Sequence, residues 1–332
     1  MHAIDQSEGS SRAGSRVRIL YIAGLGRSGS TILDRILGSH PGFHSAGELA
    51  STWSQGVLED RLCACGRPFS SCTFWGRVRM ADPELLTREA ATRIQKYHEE
   101  VLRARWMYHL WWEGGRVRTS TKAPPDYFDR IARLYTAISR AAGGKVIVDS
   151  SKHPTYAYLL TRSRASPLME MVHLVRDPRA VAYSWMRHKV EPGVTDRTAY
   201  LHRFRPTKSA TLWLEWNRTI EMIATTCEVP YRLLRYEDFV DDPAGSLRRL
   251  GLHIDDPDGS PTRTEISPRP MLHSIAGNPS RFDTGPIRVR QDDEWRTMMR
   301  GRDALAVSLV SSPALRRYGY RLGVRTGGGI PH

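Results

Sequence analysis

The sequence predicts an α/β fold: a central parallel β-sheet flanked by helices. Two observations lead there. Short runs rich in β-branched and aromatic residues alternate with longer stretches of helical periodicity, and each strand-like run ends in a Gly, Asp or Arg-bearing loop. Strands alternating with helices imply βαβ units and a sheet covered on both faces. Ligands of such sheets bind outside the C-terminal ends of the strands.

The elements follow in order. Arg16 to Ala23 (RVRILYIA) reads as a buried strand running directly into glycines, and Thr31 to Gly38 reads as the helix after it. A long helical stretch is predicted from Pro83 to about Trp112, and another from Asp126 to Ala142, stopped by Gly143-Gly144. Three further strands are predicted: Lys145 to Val148, Leu168 to Val175, and Tyr231 to Leu234. They run into Asp149-Ser-Ser-Lys152-His153-Pro154, Arg176-Asp-Pro178 and Arg235-Tyr-Glu-Asp238 respectively. Every chemically suggestive cluster of the chain therefore falls at a predicted strand end.

With 332 residues, 40% of them apolar and 25% charged, the chain has the composition of a water-soluble globular protein. No Gly/Ser- or Pro-rich linker divides it, so one domain over residues 16–322 is expected, with flexible ends at 1–15 and 323–332. The first sixteen residues lack the apolar core of an export signal, and no apolar run is long enough to cross a bilayer, so a cytoplasmic protein without a transmembrane anchor is expected. A net charge of +14 creates a field that attracts anions. Such a field suits nucleic acid, anionic membranes or small phosphorylated ligands alike, but the basic residues are scattered rather than gathered in a tail or run, so nucleic acid is not expected.

Between the first strand and helix stands Gly24-Leu-Gly26-Arg27-Ser28-Gly29-Ser30-Thr31. A glycine-rich turn there aims backbone N–H groups and the positive end of a helix dipole at one point, a geometry that binds phosphate or sulfate. The segment fits the GxxxxGK[ST] pattern except that Ser30 replaces the lysine, which disfavours ATP hydrolysis. Arg27 can set a fixed charge inside the loop. Here the sequence resembles the sulfotransferases that use 3′-phosphoadenosine 5′-phosphosulfate (PAPS). Their 5′-phosphosulfate loop in carbohydrate, tyrosyl-protein and many bacterial members reads Arg-Ser-Gly-Ser/Thr-Thr, as Arg27 to Thr31 do.

The resemblance extends along the chain and implies a P-loop-containing nucleotide-binding (sulfotransferase) architecture. The family's 3′-phosphate site has an Arg closing a strand and a Ser eight residues later, the spacing of Arg176 and Ser184. Physically, Arg176 offers a guanidinium fork and Ser184 a hydroxyl two helical turns on. Tyr236, in Arg235-Tyr-Glu-Asp238, matches the family's adenine-contacting tyrosine, and its ring suits a purine face. Gly277, Asn278 and Arg281 resemble a Gly-Asn element that closes over the nucleotide, with Arg281 a second candidate for the 3′-phosphate.

A sulfuryl acceptor, a hydroxyl or amine, must lose a proton as the new S–O or S–N bond forms, so a general base is expected. The resemblance offers two. Glu48 follows Gly47 where tyrosyl-protein and bacterial members carry a Gly-Glu segment, although Leu49 stands where the tyrosyl-protein enzymes have a second Glu. His153 follows Lys152 directly, whereas the cytosolic enzymes read Lys-x-His. Imidazole chemistry suits the task, and either residue could equally be a loop residue without a role. Lys152 matches the lysine that supports the transferred group, a role Arg27 would share. The implied catalytic set is Glu48, Lys152, His153 and Arg27. The implied donor set is Gly26, Arg27, Ser28, Gly29, Ser30, Thr31, Arg176, Ser184, Tyr236, Gly277, Asn278 and Arg281, with no metal. The acceptor would be a small molecule, glycan or glycolipid, and adenosine 3′,5′-bisphosphate would be the nucleotide product.

Two other readings share the loop: a P-loop nucleotide or small-molecule kinase, and a nucleotide- or polyanion-binding module without chemistry. The first wants a Walker lysine, and the second leaves Lys152 and the ordered second motif without a purpose. Cys63, Cys65 and Cys72 have CxC spacing followed by a third Cys, not the paired CxxC of a zinc knuckle, and are expected to be reduced buried thiols, with zinc or a disulfide the other possibilities. The aromatic helix Arg105 to Trp112 and Trp53 could line an acceptor site, but aromatics at helical spacing more often pack in a core.

Overall fold

The computed structural model describes residues 17–112, 123–163, 168–187, 202–252, 265–266, 272–283 and 285–323. The expected flexible ends at 1–15 and 323–332 lie outside these residues, except for Gly323. Five parallel strands form the central sheet: β1 (Ile19–Ala23), β2 (Phe43–Gly47), β3 (Val146–Lys152), β4 (Met169–Val175) and β5 (Tyr231–Arg235), in the order β2-β3-β1-β4-β5. The α/β class read from the sequence holds. The strand absent from the sequence reading is β2, whose FHSAG carries one large apolar residue and no alternation. Pairing with β3 from Phe43↔Val146 to Gly47↔Asp149 makes it a strand, so tertiary register overrides weak local preference. Pairing with β1, which ends in Ala23↔Lys152, extends β3 to Lys152, four residues past the predicted end at Val148.

Alternate residues of β1 feed two cores. Ile19, Tyr21 and Ala23 join a cluster with Ile147 of β3 and Met169 and Met171 of β4, whereas Leu20 and Ile22 join another with Val148, Val172 and Leu174. The second face is covered by α1 (Ser30–Gly38) through Leu33, Ile36 and Leu37. Each of these side chains contributes about 1.5–3 kcal/mol by burial.

The first face is covered by α2 (Thr73–Ala81), α3 (Arg88–Val101), α4 (Arg105–Trp112), α5 (Tyr127–Ala141) and α6 (Pro154–Arg162). The continuous helix predicted from Pro83 to Trp112 is in fact α3 and α4, separated at residues 102–104 without a Pro or Gly. The break arises from packing, because α3 lies on a π-helical turn at Thr52–Leu58 while α4 lies on a later helix. Trp53, in that π turn, is fully buried and so belongs to the core.

Beyond β4 come α7 (Pro178–Met186) and the long α8 (Pro206–Thr226) against which α4 packs. After β5 come α9 (Tyr236–Asp241) and α10 (Pro243–Arg249), which pack on the α1 face through Phe239 and Leu247. The antiparallel pair β6 (Glu265–Ile266) and β7 (Ile287–Arg288), then α11 (Trp295–Met298) and α12 (Gly301–Leu315), complete the described chain. Among the described residues no helix is long and apolar enough to cross a membrane.

Candidate active site

The loop after β1 enters α1 through Gly29, whose φ of 95° is left-handed. A Cβ at Gly29 would stand 2.4 Å from the Tyr236 ring, so glycine is required both by conformation and by the closeness of β5's end. The N-terminus of α1 has no side-chain cap and no acidic residue in its first turn, leaving its N–H groups and dipole directed at the cavity. Arg27 holds a φ of 77° without being glycine, and its guanidinium lies 4.9 Å over the Trp185 ring. Trp185 Nε1 donates to the Gly26 carbonyl at 3.2 Å, fastening α7 to the loop. Burial lowers the Arg27 pKa from its usual value, opposed by the nearby Glu48 carboxylate.

At β4's end, Asp177 caps α7 by accepting from Arg179 N at 2.9 Å, so the Arg-Asp-Pro segment is a helix cap that leaves Arg176 facing the cavity. Arg176 is buried. Its guanidinium lies 4.5 Å over the Tyr236 ring and donates to the Arg27 carbonyl at 3.1 Å and the Asp292 carbonyl at 3.0 Å. The Asp292 carboxylate stands 3.2 Å away. Tyr236 OH donates to the Arg290 carbonyl at 3.3 Å, and Ser184 lines the same space from α7.

At the other end of the sheet, buried Asp149 joins β3 to the segment after β2. It accepts from Leu49 N at 3.3 Å, Ser151 N at 2.8 Å and Ser151 Oγ at 2.5 Å, and from Tyr135 OH. Ser151 Oγ in turn accepts from Ala50 N at 2.9 Å. These bonds carry Glu48 and Lys152 toward each other, and Lys152 Nζ donates to Glu48 Oε1 and to the Ser150 carbonyl at 3.0 Å. Lys152 adopts a φ of 68°, a second non-glycine residue held in the left-handed region. Sparsely populated backbone of this kind concentrates at functional sites.

Gly47, with a φ of 71°, leaves room for Ser274, whose Cβ would stand 2.4 Å from any Cβ at that position. That close approach brings the 272–283 segment over the β2 end, with Gly277 beside Glu48 Oε1 and Asn278 accepting from Ser280 N at 3.2 Å. Arg281 donates to the Gly277 carbonyl at 3.1 Å and the Leu62 carbonyl at 3.2 Å. Burial pushes its pKa down to about 10, opposed by the Glu48 charge. Arg281 thus lines the same cavity as Arg176 and stands close enough to Glu48 to feel its charge.

One cavity of about 710 Å³ is lined by Gly26, Arg27, Gly29, Ser30, Thr31, Glu48, Lys152, Arg176, Ser184, Tyr236, Gly277, Asn278 and Arg281. All five parallel strands deliver a residue to it at or just past their C-terminal ends, in sheet order Glu48, Lys152, the loop, Arg176, Tyr236. Two expected residues stand apart. Ser28 is buried, and its N–H bonds the Leu25 carbonyl at 3.2 Å within the loop. His153 packs edge-on against Trp216 with centroids 4.6 Å apart and does not line the cavity. Burial lowers its pKa to about 4.

Sequence reasoning missed Trp185, Gln55, Arg61, Arg187 and the run Arg290 to Glu294, all of which line the cavity. Trp185 follows Ser184 directly and could have been found. The rest sit in segments that carry no motif.

An uncapped helix N-terminus among arginines, at the ends of a parallel sheet, gives this α/β protein a cavity whose lining attracts anions. The Sulfotransferase family model matches residues 20–257, and the chain belongs to that family. No curated protein matches it. Among solved structures, the sulfotransferase domain from the Synechococcus PCC 7002 olefin synthase is 22% identical, over 92% of this chain and 98% of that one, with a TM-score of 0.47. The sulfotransferase domain from the curacin biosynthetic pathway is 17% identical over 93% and 100%, with a TM-score of 0.48. Sulfotransferase STF9 from Mycobacterium avium is 13% identical over 70% and 62%, with a TM-score of 0.37.

Proposed function

We propose that the chain transfers a sulfuryl group from PAPS to a hydroxyl or amine of a small-molecule, glycan or glycolipid acceptor, as one catalytic domain over residues 16–322. The observation that carries this reading is the ordered row of strand ends. The α1 N-terminus with Arg27 suits the 5′-phosphosulfate, and one strand further on Arg176 and Ser184 suit a 3′-phosphate. Tyr236, next to Arg176, offers a ring to the adenine. Two separated anion sites fit a donor with phosphates at both ends of its ribose and leave no purpose for a Walker lysine.

The acceptor oxygen or nitrogen attacks sulfur in line as the bond from sulfur to the 5′-phosphate oxygen breaks. The acceptor proton passes to the Glu48 carboxylate, and adenosine 3′,5′-bisphosphate leaves with the bond's electron pair. Lys152, now paired with Glu48, would turn its ammonium to the bridging oxygen when donor is bound, offsetting the developing charge and freeing the carboxylate. Arg27 and Arg281 line the same cavity, and both feel the Glu48 charge. The step needs orientation and charge stabilisation, with no metal in it.

The test is transfer of radiolabelled sulfate from PAPS to an acceptor panel without added metal, compared with phosphate transfer from ATP and magnesium. Labelled product from PAPS alone is expected. Transfer from ATP, or donor binding without turnover on any acceptor, would favour the kinase or the binding module.

A further inference from the structure

Outside the donor cavity, three thiols and one imidazole converge on one point. Cys63 and Cys65 lie in a tight loop closed by Gly66, whose N–H bonds the Cys63 carbonyl at 2.8 Å. Cys72 lies just before α2, and His273 arrives from the 272–283 segment. The Cys65–Cys72 and Cys63–Cys72 sulfurs are 3.7 and 3.6 Å apart, and His273 Nδ1 is 3.9 Å from Cys63 Sγ and 3.3 Å from Cys72 Sγ. All four ligand atoms fall within 4.8 Å of one another, and all three thiols are free.

These spacings have a chemical meaning. A tetrahedral zinc ion with Zn–S of about 2.3 Å and Zn–N of about 2.0–2.1 Å has ligand-to-ligand edges of about 3.8 Å and 3.5 Å. Thiols merely packed in a core have no reason to aim three sulfurs and a ring nitrogen at one centre, because S–H is a weak donor and sulfur a weak acceptor. Cys63 and Cys72 are buried, while Cys65 and His273 are half-buried, so the point is shielded but reachable. The His273 ring is oriented by stacking on Phe74, with centroids 5.3 Å apart and 13° between planes, and the Trp75 Nε1–H bonds its carbonyl at 3.0 Å. Both aromatic residues follow Cys72 within α2.

We propose that Cys63, Cys65, Cys72 and His273 hold one structural zinc ion in a closed Cys₃His tetrahedron. Three thiolates and a divalent ion leave one net negative charge, and the buried Arg281 guanidinium, bonded to the Leu62 carbonyl, stands beside it. Four protein ligands leave no open position, so the ion is a fastener and not a reagent. It fastens the Cys63–Cys72 loop to the segment that places Gly277 beside Glu48, a tie that the Ala64 N–H to Ser274 carbonyl bond (2.8 Å) begins. The donor cavity is lined by none of the four ligands, so this inference stands whether or not PAPS is the donor.

The experiment reads metal, not turnover. The full chain, expressed with zinc and purified under reducing conditions, is expected to carry about one zinc per chain by elemental analysis. Exchange for cobalt is expected to give sulfur-to-cobalt charge-transfer bands and the strong d–d bands of a tetrahedral site. Cys65→Ser and His273→Ala are expected to weaken zinc binding at least about tenfold. Cys227→Ser, outside the cluster, should keep it. Wild-type protein that stays folded without zinc and gives no tetrahedral cobalt spectrum overturns the proposal, and so does unchanged zinc affinity in folded Cys65→Ser.

Discussion

Lys152 Nζ donates a hydrogen bond to Glu48 Oε1 across the C-terminal ends of two neighbouring strands, and the bonds of buried Asp149 hold the two residues at that separation. A lysine so placed can serve the carboxylate or the donor, but not both fully. Lys152→Ala is expected to lower turnover about 10²–10³-fold, the usual effect of removing one stabilising donor at a reacting centre. Glu48→Gln is expected to lower kcat about 10²–10⁴-fold, the range of a lost general base. Steady-state transfer assays check both, with calorimetry showing that adenosine 3′,5′-bisphosphate still binds. Unchanged turnover in a folded Lys152→Ala protein removes the residue from the mechanism.

His153 is the competing base, and its surroundings argue against it. Its ring sits against Trp216 outside the cavity, and burial holds its pKa near 4. His153→Asn is therefore expected to keep kcat within roughly twofold of wild type, with any loss appearing in stability. A hundredfold fall in kcat at unchanged donor affinity would return the base assignment to His153.

Arg176 has its guanidinium partly engaged by Asp292, an acidic side chain where the proposed 3′-phosphate would lie. Removing a charged hydrogen-bond donor costs about 1.5–3 kcal/mol, so Arg176→Ala should weaken donor binding about 10–150-fold. Asp292→Ala should act in the opposite direction, tightening it a few-fold by removing a competing anion. Titration of each variant with adenosine 3′,5′-bisphosphate distinguishes the two, and weaker binding to Asp292→Ala would show that the aspartate helps to hold the ligand.

The parts of the site that local chain rules dictate were legible in the sequence. A strand, a glycine turn and a helix are contiguous, so Gly24 to Thr31 could be read directly, and the Arg176–Ser184 spacing is one strand end plus two helical turns. Glu48 was found without its strand, because FHSAG has no hydrophobic alternation and becomes β2 only through its pairing with β3. Asp292 and Arg290 reach the cavity from a segment with no recognisable pattern, and the position of Arg281 depends on where that return segment crosses the sheet end. His273 lies 201 residues from Cys72, so the CxC-x₆-C spacing alone could not disclose a fourth ligand.

The closeness of Gly29 to Tyr236 makes a steric prediction. In Gly29→Ala the new methyl would meet the ring at 2.4 Å in a backbone conformation unfavourable to alanine. Donor affinity should fall at least about tenfold, since the loop and the ring must separate. Tyr236→Ala in the same chain relieves the clash but not the φ of 95°. The double variant should therefore recover loop order, visible as restored proteolytic resistance, without recovering full donor affinity. A single variant with wild-type affinity would show that the loop can shift freely.

Asp34, on α1 beneath β2, is buried. It accepts one hydrogen bond from Ser45 Oγ at 2.6 Å, and its other oxygen makes none. Burial raises its pKa to about 7, and Asp149, buried among its four donors, is raised to about 6 by the same cause. Both folded values lie above the unfolded carboxylate value, so the folded state binds more protons than the unfolded one between roughly pH 4 and 7. Their stabilising contribution is full below the unfolded value and is lost as pH rises through the folded value, at up to about 1.4 kcal/mol per pH unit for each group. Asp34→Asn keeps an acceptor for Ser45 and removes the ionisation. Urea midpoints measured from pH 5 to 8 should show the variant gaining on wild type as pH rises to about 7, then a constant difference. A difference independent of pH would mean that Asp34 ionises in the folded protein as readily as in the unfolded chain.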